Sequence, residues 1–247
     1  MTPDDAFREE VAQNIEALTA STEMRQLGID FVIATAPYRY SYNFRWMGRP
    51  IIQFPQDMLA LQELVWRIRP QVIVETGVAH GGSLVFHASM LTLLGDDGFV
   101  VGIDVDIRPH NRKAIEEHPM APRIRLVEGS STDPSTLERV FALTAGRGPI
   151  LVILDSNHTH EHVLAELETY SPLVQSGSYL VVLDTVIEQM PKSLFPDRPW
   201  GPGNSPGSAV QTFLNSNDRF ELDEHIDGQL LITVAPKGWL RCIKDSR

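Results

Sequence analysis

The sequence predicts a doubly wound α/β fold with a mostly parallel sheet, and three observations carry that prediction. From residue 71 to 183, five short apolar runs alternate with four helical patterns. The first run ends in a glycine-rich turn, Gly77 to Gly81–Gly82, and a new apolar segment follows. Four of the runs end in an acid: Glu75, Asp104, Asp155 and Asp184. One acid after a strand is commonplace as a cap or turn residue, but four in register point to a shared rim. Successive βα units give a parallel sheet covered on both faces, with ligands held beyond the strand carboxyl ends.

Each element has its own justification. Residues 4–20 repeat apolar side chains at Ala6, Phe7, Val11, Ile15 and Leu18, a helical period. The segment 38–46 alternates aromatics and reads as an edge strand or as a loop folded over a pocket. Pro55 opens a helix that runs to Arg69, where Pro70 stops it, with basic residues in the last turn as the helix dipole favours. Strands are expected at 71–75, 99–103, 123–127, 150–154 and 178–183, and helices at 82–94, 109–118, 134–145 and 158–174. Five prolines between 191 and 206 mark a long irregular insertion, and Phe195 and Trp200 within it favour a lid. A helix over 207–215 follows, then an antiparallel pair, 219–222 with 229–235, turning at Asp227-Gly228. The expected division is an N-terminal helical and aromatic extension, 1–69, and a single compact unit, 70–247.

Composition narrows the function. The 247 residues are 43% hydrophobic and 21% charged, ordinary for a globular protein. A net charge of −11 argues against nucleic-acid and anionic-membrane partners. No apolar run reaches the ~18 residues of a spanning helix, and the N-terminus lacks the features of a signal peptide. The single cysteine, Cys242, fits a reducing compartment, so a cytoplasmic protein is expected.

The turn after the first strand is the first candidate site. Gly77 and Gly81 permit positive φ and close approach of a ligand, and the helix that follows directs free N–H groups into the same space. Glu75 is expected at the rim of that crevice as a negative charge. The G-x-x-x-G-G spacing differs from the dinucleotide fingerprint. Asp104, at the end of the second strand, is placed to accept both ribose hydroxyls, so a nucleoside is the natural ligand and a 2′-phosphate would be repelled. Glu128-Gly-Ser130-Ser131 offers a polar turn for an adenine or ribose edge, or else a plain helix cap feeding Asp133.

Glu75-Thr-Gly-Val-Ala-His-Gly-Gly-Ser83, Gly-Ile-Asp104 and Leu154-Asp-Ser-Asn-His158 resemble the class I S-adenosylmethionine-dependent methyltransferases, with their Rossmann-like sheet. Asn43-Phe-Arg-Trp-Met-Gly-Arg-Pro, Asp155-Ser-Asn-His-Thr-His-Glu-His-Val and Gly177-Ser-Tyr-Leu-Val-Val-Leu-Asp-Thr185 resemble more closely the cephalosporin hydroxylase/rhamnosyl O-methyltransferase family, over about residues 40–235. The resemblance implies that Glu75, Gly77, Ser83 and Asp104 hold the methionine and ribose parts of S-adenosylmethionine. It also implies a homo-oligomer.

Asp155 and Asp184 close neighbouring strands, so both are within reach of one hard divalent cation such as Mg²⁺, which can hold and acidify a sugar hydroxyl. His158, three residues past Asp155, is the candidate general base. The resemblance assigns the same roles. The sequence departs from the family at Leu183, where relatives commonly carry an acid beside the aspartate, so a ligand is lost unless water or Thr185 substitutes.

The function expected is O-methylation of a hydroxyl on a sugar or glycosylated small molecule. Three rival readings stand beside it: a nicotinamide-dependent oxidoreductase, an iron-dependent hydroxylase using Asp155, His158 and His160 or His162, and a non-catalytic cofactor-binding assembly protein.

Overall fold

The computed structural model describes residues 2–245. Helix α1 (Pro3–Ala20) opens on a capping box built by Thr2 and Asp5, and α2 (Thr22–Thr35) follows from Ser21, whose side chain accepts from Met24 N. Two short 3₁₀ turns lead to a hairpin, β1 (Phe44–Trp46) with β2 (Arg49–Ile51), and then to α3 (Pro55–Ile68). The aromatic segment is therefore turn, turn and short strand. Its strand pairs only within the hairpin and adds nothing to the main sheet. Helix α2 gives no clear periodic signal in the sequence because its apolar side chains do not form one stripe: Leu27 and Phe31 are exposed while Gly28 and Val32 are buried.

Strands and helices then alternate: β3 (Val72–Thr76), α4 (Gly82–Leu94), β4 (Phe99–Asp104), α5 (Pro109–Glu116), β5 (Ile124–Glu128), α6 (Pro134–Thr144), β6 (Ile150–Leu154), α7 (His160–Tyr170) and β7 (Tyr179–Val182). These agree with the predicted strands and helices to within a few residues. Helix α8 (Pro206–Ser216), β8 (Phe220–Leu222), α9 (Glu224–Gln229) and β9 (Trp239–Cys242) complete the chain.

The seven-stranded sheet has the order β5-β4-β3-β6-β7-β9-β8, parallel from β5 to β7 and antiparallel at β7–β9 and β9–β8. Alternation along the strands divides the core in two. Ile73, Leu151, Ile153 and Val181 face α3 and α4, whereas Val74, Val101, Val152 and Leu180 face α6, α7 and α8. Burial on both faces explains why these strands read as continuous apolar runs.

The C-terminal pair needs correction. Strand β8 lies where predicted, but its partner is 239–242, and residues 224–229 are helical. Asp223 accepts from the backbone N–H groups of His225 and Ile226, which starts a helix where a hairpin arm was expected. Gly228 is small because α1 crosses it: an added Cβ would lie 1.9 Å from Thr19 Oγ1. The Asp-Gly signal thus records a close crossing of two helices.

Candidate active site

The sheet reverses its winding between β3 and β6, and a cavity of about 1100 Å³ opens there above the carboxyl ends of the strands. Gly77 sits at the pivot with φ +93°. A Cβ on it would lie 2.0 Å from Asp155 O, so the turn after β3 and the turn after β6 touch backbone to backbone. Gly81, in a left-handed conformation, caps α4. The loop between them is pinned from outside by Arg49 Nε on His80 O (3.0 Å) and Asn111 Nδ2 on Ala79 O (2.8 Å). Neither contact is evident from the sequence, because both partners are distant along the chain.

Gly77, Ser83, Asp104, Ser130, Asp155, His158 and Asp184 all line this cavity. Glu75 does not. It is fully buried under the loop, accepts from the Ser83 hydroxyl and faces the buried His87, so its expected position at the rim is corrected. It ends on the inner side because residue 75 shares the sheet face of Ile73, the face that α4 covers, here with Ser83 and His87. Gly81 is also behind the lining, against Ile115. Asp104 already accepts from Val78 N at 2.9 Å and Ala79 N at 3.3 Å through Oδ2, while Oδ1 accepts from Asp106 N. The acid therefore ties the second strand to the glycine loop as well as facing the cavity. Ser130 contacts Thr132, and Asp133 caps α6 on its own.

Beside the turn after β3, one ligand atom from each of Asp155, His158 and Asp184 falls within 4.8 Å of the others. His158 Nε2 lies 3.3 Å from Asp184 Oδ2, and its ring meets Trp200 edge-on at 4.9 Å. Asp184 holds a left-handed conformation, φ 56°, which aspartate tolerates better than most residues and which turns its carboxylate toward the site. Enclosure by the protein, and then the like charges of Asp184, Glu75 and Glu166, push the Asp155 carboxyl well above the usual carboxylate range. Such crowding of carboxylates fits a cation, and the two aspartates supply oxygen donors for one beside the His158 imidazole.

The remaining candidates disperse. Leu183 and Thr185 are both buried and outside the cavity lining, and Thr185 donates to Pro236 O. His160 engages Ser208, and His162 lies against Ser131, Ser156 and Glu166, so the two-histidine set of an iron site does not assemble around Asp155. The insertion folds as a lid. Met190, Leu194, Phe195 and Trp200 line the cavity, and Asn204 holds the lid in place by donating to Pro199 O and accepting from His160 N. The C-terminal turn of α2 adds Val32, Thr35 and Ala36 to the same wall.

The chain matches the family model "Rhamnosyl O-methyltransferase/CmcI" over residues 38–243. It is 33% identical over 198 residues to a rhamnosyl O-methyltransferase of Mycobacterium bovis, covering 79% of this chain and 76% of that one. A rhamnosyl O-methyltransferase of Mycobacterium leprae is 32% identical over 147 residues, 59% of this chain and 62% of that one. Among solved structures, CmcI with Mg and SAM shares the fold at TM-score 0.57, 21% identity, 82% of this chain and 77% of that one. An O-methyltransferase from Bacillus cereus in complex with SAH shares it at TM-score 0.55 and 16% identity, over 95% and 97% of the two chains. On the extent of these matches, the chain belongs to the rhamnosyl O-methyltransferase/CmcI family.

Proposed function

We propose that this protein is an S-adenosylmethionine-dependent O-methyltransferase acting on a hydroxyl of a sugar or glycosylated small molecule, with a divalent metal such as Mg²⁺ assisting. The observation that carries the reading is the convergence of Asp155, His158 and Asp184 in the cavity that the glycine loop also lines. In this reading the loop 77–83 receives the methionine end of the cofactor, Asp104 the ribose, and Ser130 the adenine side. Asp155 and Asp184 hold the metal.

The cofactor, when bound, supplies an electrophilic methyl group on sulfur, and the metal, when bound, lowers the pKa of a coordinated hydroxyl. The chain's own work is placement and proton transfer. His158 takes the hydroxyl proton, Asp184 Oδ2, 3.3 Å from Nε2, stabilises the imidazolium that results, and the Trp200 ring packs against the imidazole. The lid and α2 enclose the acceptor, and fixing two reactants in line is itself a large part of the rate.

Residues 1–69 belong to this reading as a cover that supplies one wall, anchored by α3 in the core of the 70–247 unit. A cytoplasmic setting and a homo-oligomer complete it, supported by the lone buried free Cys242 and by the exposed Phe7 on α1. Among the described residues no helix is long and apolar enough to cross a membrane.

Calorimetric titration with S-adenosylhomocysteine, with and without Mg²⁺, tests the proposal. Binding is expected, and Asp104→Ala should weaken it by about tenfold or more, as loss of hydrogen bonds to a charged group does. Absence of binding under both conditions would remove the methyltransferase reading.

A further inference from the structure

The cavity is electrically lopsided, and the roles above leave one side of it unused. Its three carboxylates, Asp104, Asp155 and Asp184, stand at or just beyond strand ends. Its two guanidinium groups, Arg39 and Arg198, come from the aromatic turns and from the lid. In a chain of net charge −11, Arg67, Arg69, Arg112, Arg147 and Arg241 each meet a carboxylate. Among the described residues Arg39 and Arg198 meet none. Each lies instead over an aromatic ring of the cavity lining, Arg39 over Tyr42 at 5.8 Å and Arg198 over Trp200 at 5.1 Å. A ring holds a guanidinium in place without consuming its N–H donors.

Both positions are built. Arg39 adopts a left-handed conformation, φ 49° and ψ 48°, that non-glycine residues rarely hold. Its N–H on Ala36 O and the Tyr42 N–H on its own carbonyl, both 2.9 Å, fix it there. Arg198 stands one indole away from the candidate base, since the Trp200 ring beneath it meets His158 edge-on at 4.9 Å. A pyranose ring is comparable in width to an indole. A glycoside whose hydroxyl reaches His158 therefore brings a group on its far side to Arg198.

We propose that the acceptor carries an oxyanion, a carboxylate or a phosphate, on the side of the sugar away from the methylated hydroxyl, and that Arg198 and Arg39 bind it. Guanidinium groups are weakly hydrated, stay charged and match the paired oxygens of either group. The proposal rests on the sugar O-methyltransferase reading of the cavity and adds the charge of the acceptor to it. The opposed charges orient the ligand, with the hydroxyl toward Asp155 and Asp184 and the oxyanion toward the arginines. They also draw an anion into a protein whose net charge repels it.

The experiment is calorimetric titration of the full chain, loaded with S-adenosylhomocysteine and Mg²⁺. The ligands are methyl glucoside, methyl galactoside and methyl mannoside, each as the neutral sugar, the uronic acid and the 6-phosphate. For at least one sugar an acid form should bind about tenfold or more tighter than the neutral form, as charge-assisted hydrogen bonds do. Whether the uronic acid or the 6-phosphate does so distinguishes carboxylate from phosphate. Arg198→Gln should abolish the preference, Arg39→Gln should reduce it, and added salt should weaken it. Arg198→Lys keeps the charge without the fork and should recover only part. S-adenosylhomocysteine affinity should hold in all these variants.

The proposal is overturned if neutral and acid forms bind alike, if none binds, or if the preference survives both glutamine variants. It is overturned equally if either variant weakens S-adenosylhomocysteine as much as the acid sugars, which would assign that guanidinium to the cofactor's own carboxylate. Wild-type protein that binds no S-adenosylhomocysteine would remove the methyltransferase reading and the proposal with it, a result separate from any loss of preference among the sugars.

Discussion

The two walls of the cavity are built by opposite means. The glycine-loop wall consists of strand ends and backbone, tied by Gly77 N to Ile103 O at 2.7 Å, Asp155 N to Thr76 O at 2.9 Å and the N–H groups that Asp104 accepts. The lid wall consists of side chains from α2, the aromatic turns and residues 190–200. Its cohesion is apolar: Val32, Phe54, Val186 and Met190, with Tyr40 and Phe195 packed around them. Backbone ties fix positions closely and tolerate little change. An apolar cluster tolerates exchange of one shape for another as long as volume is kept. A shared methyl donor suits the first kind of wall and varied acceptors suit the second.

Gly77→Ala should break the rigid wall most severely. The new Cβ would stand 2.0 Å from Asp155 O on a backbone at φ +93° that alanine rarely adopts, so the turns after β3 and β6 must separate. We expect a loss of roughly 2 kcal/mol or more in stability, with loss of S-adenosylhomocysteine binding. Denaturant unfolding and calorimetry read both, and a stable variant that still binds would show that the backbone contact is slack.

His158→Ala comes next and separates chemistry from binding. Turnover should fall about 10²–10⁴-fold, the range for loss of a general base, with S-adenosylhomocysteine affinity almost unchanged. Full activity would remove this histidine from the mechanism.

How much of each wall the sequence discloses follows from the same difference. Glu75-x-Gly77, Asp104 and Asp155 occupy positions dictated by where parallel strands end, so a local reading finds them. The same local reading misplaces Glu75, because whether a residue at a strand end faces the crevice or the core depends on the pleat and on neighbours far along the chain. Arg49, Asn111 and Trp200 reach the site only through tertiary contacts, which leave no local pattern. The hairpin predicted at Asp227-Gly228 fails for a related reason, since Thr19, some two hundred positions earlier, explains that glycine.

Trp200→Ala tests the adaptable wall and should have a milder effect. Its ring contacts His158 edge-on and carries the Arg198 guanidinium at 5.1 Å. Loss of an aromatic contact of this size corresponds to about 1 kcal/mol. On a glycoside that turns over, kcat/KM should fall roughly five- to tenfold, Trp200→Phe should retain most of it, and S-adenosylhomocysteine affinity should not move. An equal loss in cofactor affinity would mean that the lid supports the rigid wall too.

The smallest effect is expected behind the lid wall, at the buried Asp57 in the first turn of α3. Its carboxylate accepts from Val234 N at 2.9 Å and from the Thr233 hydroxyl, and it senses the charge of Asp184. Burial, only partly offset by those two hydrogen bonds, raises its pKa to about 7, against ~3.9 in an unfolded chain. Between these values the unfolded chain has released the proton that the folded protein retains. Stability therefore falls as pH rises from ~4 to ~7 and levels off above. Relaxation around a buried charge reduces the penalty below its simple electrostatic value, so a net change on the order of 1 kcal/mol is expected, about 2–4 °C in Tm for a chain of this size. Asp57→Asn keeps the shape and removes the titration, so its melting temperature should change less between pH 5 and pH 7.5 than that of the wild type. Parallel profiles for the two proteins would mean that Asp57 is ionised in the folded state throughout. The core behind the lid wall would then hold a permanent negative charge that Asp184 senses.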